Sequence, residues 1–98
     1  MPATLIAHYY VQPGKADVVE AALARMADAV AADEPACLIY NANVSLDDPN
    51  HYVLYEVYDN EDGLVAHRET PHFKEIIEGI VVPVLEKRER EVYRRVLG

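Results

Sequence analysis

The 98-residue sequence predicts an α+β fold of the ferredoxin-like type, a single domain over residues 1–98 in the order β-α-β-β-α-α-β, with an antiparallel sheet carrying its helices on one face. Three observations predict it. Alternating runs rich in β-branched and aromatic residues occur at Thr4 to Val11, Cys37 to Ser45 and His51 to Tyr58. Stretches with apolar residues three and four apart separate or follow them. Prolines and Asp/Asn clusters stand where the period changes.

Thr4 to Val11, TLIAHYYV, places Leu5, Ala7, Tyr9 and Val11 on one face and Ile6, His8 and Tyr10 on the other, and stops at the turn Gln12-Pro13-Gly14. From Lys15 to Asp33, Val19, Leu23, Met26 and Val30 form the apolar stripe of a helix, with Asp17 and Glu20 near its positive start. Pro35 ends it, because the residue before a proline is pushed out of the helical region.

Cys37 to Ser45 and His51 to Tyr58 read as an antiparallel pair joined by Leu46-Asp47-Asp48-Pro49-Asn50. In the first, Leu38, Tyr40, Ala42 and Val44 lie opposite Ile39, Asn41 and Asn43. In the second, Tyr52, Leu54, Glu56 and Tyr58 lie opposite Val53, Tyr55 and Val57. Asp59 or Asn60 caps a short helix running toward Arg68. Thr70 is an N-cap and Pro71 a first helical residue, followed by Phe73, Ile76, Ile77, Ile80 and Val81 at helical spacing, so AHRETPHF (66–73) is the joint between two helices. The second of these meets Pro83, and Glu89 to Leu97 suits a final strand, exposed on part of one face.

Helices cover only one side of such a sheet. Ile6, Tyr10, Cys37, Ile39, Val53 and Tyr55 would lie on the other, an apolar surface that is not normally left in water, which predicts a homodimer through the sheet face.

A net charge of −8 argues against a nucleic-acid or anionic-membrane surface, and no apolar run approaches the ~20 residues of a membrane span. The charge is uneven: residues 1–86 hold 4 basic and 15 acidic side chains, residues 87–98 hold 5 and 2. The basic tail reads as a solvated strand, or as a partner for the acidic body within the chain or across a subunit contact. Cys37 is the only cysteine and lies in a strand-like run without metal-ligating neighbours, so it reads as a small core residue. With no leader opening the chain, a cytoplasmic location is expected.

No metal-ligand spacing, Gly-rich phosphate loop or nucleophile elbow is present, so neither metal nor cofactor is expected. What remains is His67, His72, Glu56 and a set of tyrosines, at positions 9, 40, 52, 55 and 58. His72, the second residue of its helix, reads as a helix-orienting residue; His67 reads as a core histidine or as a general base. Glu56 is a buried acceptor for a neighbour such as Arg68, or a cavity acid.

Gln12-Pro13-Gly14-Lys15, Glu34-Pro35-Ala36-Cys37-Leu38-Ile39-Tyr40, Tyr52 to Tyr58, and Ala66 to Phe73 resemble, in order and spacing, the antibiotic biosynthesis monooxygenase (ABM) domain family, from about Thr4 to Tyr93. The resemblance implies a dimeric α+β barrel with a pocket between sheet and helices. It also implies a cofactor-independent monooxygenase acting on a quinol or polyphenolic small molecule with O₂. Under it His67 is the base or proton relay, Tyr40 and Tyr58 are oxyanion or phenol partners, and His72, Glu56, Phe73 and Tyr9 are substrate contacts. Haem-degrading relatives carry a strand-one asparagine and an axial histidine in the last helix, whereas Leu5-Ala7-Tyr9 and Phe73 to Leu85 supply neither. Tyr58 stands where many relatives have tryptophan.

Tyr55 to Tyr58, Thr70 to His72 and Lys87 to Arg95 are also similar to proteins that isomerise a small hydroxyketone phosphate of the autoinducer-2 type. A phosphate wants a basic pocket, and outside the tail only Lys15, Arg25, Arg68 and Lys74 are available. A non-catalytic, small-ligand-binding dimeric module is the remaining alternative. An open cavity beside His67 favours an enzyme, and a filled interior favours the module.

Overall fold

The first strand, β1 (Ala3–Val11), alternates cleanly enough to serve as an interior strand: Ala3, Leu5, Ala7, Tyr9 and Val11 are all buried in the computed structural model, which describes Met1–Gly98. It lies between β3 (His51–Tyr58) and β4 (Leu85–Arg94), and β2 (Cys37–Val44) adds to the far side of β3, giving the antiparallel order β2-β3-β1-β4. Helix α1 (Ala16–Asp33) buries the stripe Val19, Ala22, Leu23, Met26 and Val30 against Ala7, Tyr9, Val11, Tyr52 and Leu54. The third helix, α3 (Phe73–Val81), adds Ile76, Ile77 and Val81 to the same core. The ferredoxin-like arrangement follows the predicted element order.

Between β3 and α3, helix α2 (Glu61–Glu69) is capped by Asn60, whose side chain accepts from the Gly63 backbone N–H at 3.1 Å. Thr70 both closes α2 and opens the next helix: its hydroxyl donates to the His67 carbonyl at 2.8 Å and accepts from the Phe73 N–H at 3.2 Å. The joint therefore fixes the backbone of His67 from below.

Four local expectations are corrected. α3 is wound as a π-helix, with the Val82 N–H reaching back to the Ile77 carbonyl; its apolar residues still face the core, so side-chain spacing alone did not reveal the wider winding. The final strand begins at Leu85 and ends at Arg94, where Glu89 to Leu97 was expected, because pairing to β1 defines it: Val11 opposes Leu85 and Tyr9 opposes Arg88, across a segment with no apolar alternation of its own. At the start of β2 the register shifts between Cys37 and Ile39. That irregularity breaks the period of two, so Cys37 packs half-buried with the core beside Tyr58 rather than on the outer face with Ile39, and Leu38 is left 55% exposed.

The register lines up the site. Tyr40, Glu56 and Leu5 form one row across the helix-facing side of the sheet; Leu54, Ala7 and Arg90 form the next; Tyr52, Tyr9 and Arg88 the third. The opposite face carries Ile6, Tyr10, Val53 and Tyr55, all half-buried, with a polar cluster among them. There His8 Nδ1 and His51 Nε2 are 3.0 Å apart, Tyr10 stacks on His51 at 4.5 Å, and the Lys87 ammonium lies over Tyr10 at 4.7 Å. No helix is long and apolar enough to cross a membrane.

Candidate active site

A carboxyl in the middle of a sheet needs a reason to be there, and Glu56 has one: it faces a cavity. The space measures about 150 Å³ between the sheet, α2 and α3. Its floor is Leu5, Ala7, Tyr9, Tyr40, Glu56, His67 and Phe73, and the exposed members of its wall are Arg68, Arg88, Glu89 and Arg90. A volume of this size holds one aromatic ring, and the arginine side opens to solvent.

Glu56 is 2% exposed, and its Oε1 accepts the Tyr58 hydroxyl at 2.5 Å. Burial pushes its carboxyl up to about 7 and the charge of Glu34 pushes the same way, while the Tyr58 hydrogen bond opposes both. Arg68, expected as its partner, does not pair with it. The Glu56 carboxyl borders the cavity instead.

His67, also 2% exposed, has Nδ1 2.8 Å from Glu34 Oε1 and Nε2 3.7 Å from Glu56 Oε1. Burial lowers its pKa from the ordinary histidine value, against the pull of Glu34, so the ring is neutral at pH 7. A neutral ring that donates to Glu34 carries its proton on Nδ1. The Nε2 lone pair then points toward Glu56, into the cavity. Tyr40, Tyr58 and Phe73 surround the imidazole with ring centroids at 5.8, 5.4 and 5.2 Å.

Glu34 is the residue sequence reasoning missed. It follows α1, where it reads as a helix terminator before proline, yet it binds His67 on one carboxylate oxygen and His72 Nε2 on the other at 2.5 Å. Close approach of α2 to the 34–37 turn makes this possible. The Asp59 N–H donates to the Ala36 carbonyl at 2.9 Å, and a Cβ on Gly63 would come within 3.1 Å of the Ala36 Cβ. The partners lie 33 and 38 residues away, and no local pattern marks such a contact.

The Tyr40 hydroxyl is the buried side-chain polar atom with no hydrogen-bond partner. Buried hydroxyls are nearly always satisfied, so this one, on a residue that borders the cavity, has a donor to spare. Burial, then the charge of Glu56, raises its pKa far above the ordinary tyrosine value, which keeps the proton in place as a donor. Tyr9, on the floor, is likewise raised by burial.

Of the residues singled out in the sequence, His67, Tyr40, Glu56, Phe73 and Tyr9 meet at the cavity. Tyr58 and His72 do not line it. Tyr58 is fully buried with its hydroxyl on Glu56, and His72 is held by Glu34, so both reach the cavity only through another side chain. Tyr52 and Tyr55 are elsewhere, donating to Glu20 at 2.5 Å and accepting from Arg95 at 2.6 Å respectively. Cys37, pushed up to about 11 chiefly by burial, remains a thiol. No three histidine, cysteine or carboxylate side chains converge in an arrangement that would hold a metal ion.

The family model described as antibiotic biosynthesis monooxygenase matches residues 2–79. Among solved structures, a protein from Caulobacter crescentus provisionally named an antibiotic biosynthesis monooxygenase is 29% identical, with a TM-score of 0.91 over 98% of this chain and 91% of that one. A provisionally named counterpart from Nitrosomonas europaea is 26% identical, with a TM-score of 0.87 over 97% and 90% of the two chains. No curated protein matches the sequence.

Proposed function

We propose, for a chain that belongs to the antibiotic biosynthesis monooxygenase family, that the cavity oxidises a single-ring quinol or related phenol with O₂, without a cofactor. The observation that carries this reading is the pairing of an unpartnered Tyr40 hydroxyl with a buried, neutral His67 on one cavity wall.

The division of labour follows from the geometry. A phenol oxygen entering between these groups loses its proton to Nε2 of His67, and the imidazolium so formed is stabilised by Glu34 on Nδ1. Tyr40 donates to the developing oxyanion. The aromatic floor excludes water, so the anion keeps its electron density and itself passes an electron to O₂. Recombination of the radical pair gives a peroxide anion, which takes the proton back from the His67 imidazolium to become a hydroperoxide; loss of water across its O–O and C–H bonds leaves a new carbonyl. One oxygen atom is in the product and one in water, and the two electrons that form the water come from the substrate.

Glu56, with a pKa near 7 and 3.7 Å from Nε2, receives or returns protons beside the base. Tyr58 is a positioning residue that fixes the Glu56 carboxyl, and His72 one that fixes Glu34. Phe73 and Tyr9 shape the floor. The half-buried outer sheet face supports a homodimer through that face. Turnover of a hydroquinone under ¹⁸O₂, followed by mass spectrometry, tests the reaction: one labelled atom in the product is expected, and unlabelled product contradicts oxygenation.

A further inference from the structure

We propose that the natural substrate of this cavity carries an anionic group, a carboxylate or a phosphate, which Arg68, Arg88 and Arg90 hold at the rim while the remainder occupies the floor. The inference rests on the cavity being a substrate site and not on the use of O₂.

In a chain of net charge −8 with only 9 lysines and arginines, three arginines converge on one opening of about 150 Å³. Arg88 and Arg90 are there because they occupy alternate positions of β4, opposite Tyr9 and Ala7, and so share the cavity side of the sheet. Arg68 comes from the last turn of α2. None of the three is in an ion pair, although acidic side chains outnumber basic ones 17 to 9. Glu89 shares the rim, but its carboxylate accepts the Tyr10 hydroxyl at 3.2 Å and so is engaged there.

The carboxyl nearest the floor, Glu56, is neutralised in part near pH 7 by its raised pKa. Arg90 is pushed below its ordinary value by partial burial and then by the charge of Arg68, and the opposing charge of Glu56 does not outweigh them, so the rim lacks a full counter-ion. An oxyanion supplies that counter-ion, and guanidinium forks match carboxylate and phosphate geometry. The basic tail is a solvated strand, exposed along nearly its whole length, but two of its arginines border the cavity, so the count of basic residues outside it understated what the cavity has. Both β4 arginines also lie beyond residue 79, where the family match ends. The small floor adds a second constraint, with the anion on a single ring or a short carbon chain.

The test is anaerobic isothermal titration of the intact protein, with chelator, using hydroquinone, 2,5-dihydroxybenzoate and 4-hydroxyphenyl phosphate. At least one anion is expected to bind about tenfold or more tighter than hydroquinone, with an affinity that falls as salt rises. The Arg88→Gln/Arg90→Gln double variant, at exposed positions, should bring the affinity for the preferred anion down to that of hydroquinone measured in the same variant, and Arg90→Lys should retain part of the preference. Whichever anion is preferred identifies the group, and a phosphate preference would shift weight toward isomerisation of a phosphorylated hydroxyketone. Equal binding of hydroquinone and both anions, or a preference that survives the double variant, overturns the anion assignment alone. Absence of binding by all three compounds overturns it together with the proposed function.

Discussion

Glu34 Oε1 lies 2.8 Å from Nδ1 of His67, and this contact decides which nitrogen of the ring faces the cavity. The carboxylate comes from the end of α1 and the imidazole from the last turn of α2. The contact thus ties two elements together and sets the tautomer of the proposed base.

Replacing Glu34 by Gln is expected to lower kcat about 10–100-fold, the usual cost of losing a carboxylate that orients a functional histidine. Glu34 is also what holds the His67 pKa up against burial, so the acid limb of the rate profile should move to lower pH in the variant. NMR of the ring nitrogens should show Nδ1 protonated in the parent and a tautomer mixture in the variant. An unshifted profile and a single tautomer would remove the role given to Glu34.

Glu56 makes a prediction about stability. Its carboxyl is raised from 4.5 to about 7 on folding, so between those values the native state holds a proton that the unfolded chain has released. The stabilisation is complete below pH 4.5 and is lost as pH rises through about 7, a change of about 3 kcal/mol. Urea denaturation near pH 5 and near pH 8 should show Glu56→Gln gaining on the parent at the higher pH by an amount of that order. Equal pH dependence in the two proteins would mean that Glu56 ionises normally in the fold.

Tyr40→Phe separates function from stability. Removing an unpartnered buried hydroxyl should leave stability unchanged or raise it by about 1 kcal/mol, whereas losing the proposed oxyanion donor should cut turnover about a hundredfold. A variant destabilised by several kcal/mol would show that the hydroxyl is satisfied in the folded protein.

The sheet layout was legible because β1 and β3 alternate along most of their length, and the helix joint because Thr70-Pro71 carries its own capping chemistry. His67, Tyr40, Phe73 and Tyr9 were singled out because histidines and aromatic residues are few in so small a chain, and Glu56 because it is a carboxyl within an apolar strand. Glu34 and the rim arginines were illegible for a shared reason: their local sequence is ordinary. A glutamate before proline and a charged edge strand have common structural explanations, and only tertiary register turns them toward the cavity. The register shift at Cys37 and the π winding of α3 were hidden for the same reason, since both depend on how segments pack.

The outer face predicts an assembly. Sedimentation should give twice the 11.0 kDa chain mass, and Val53→Asp, which puts a charge on the half-buried outer face of β3, should return monomer. A monomeric parent protein would contradict the sheet-face dimer without affecting the cavity.

The central claim is that His67 is the base of an oxygenating cavity. Oxygen uptake with reduced single-ring quinols in chelated buffer, corrected for autoxidation and compared between the parent protein and His67→Ala, tests it most directly. Protein-dependent uptake that survives chelation and falls at least about a hundredfold in the folded variant is the predicted result. No uptake above autoxidation, or a folded His67→Ala as active as the parent, would contradict it.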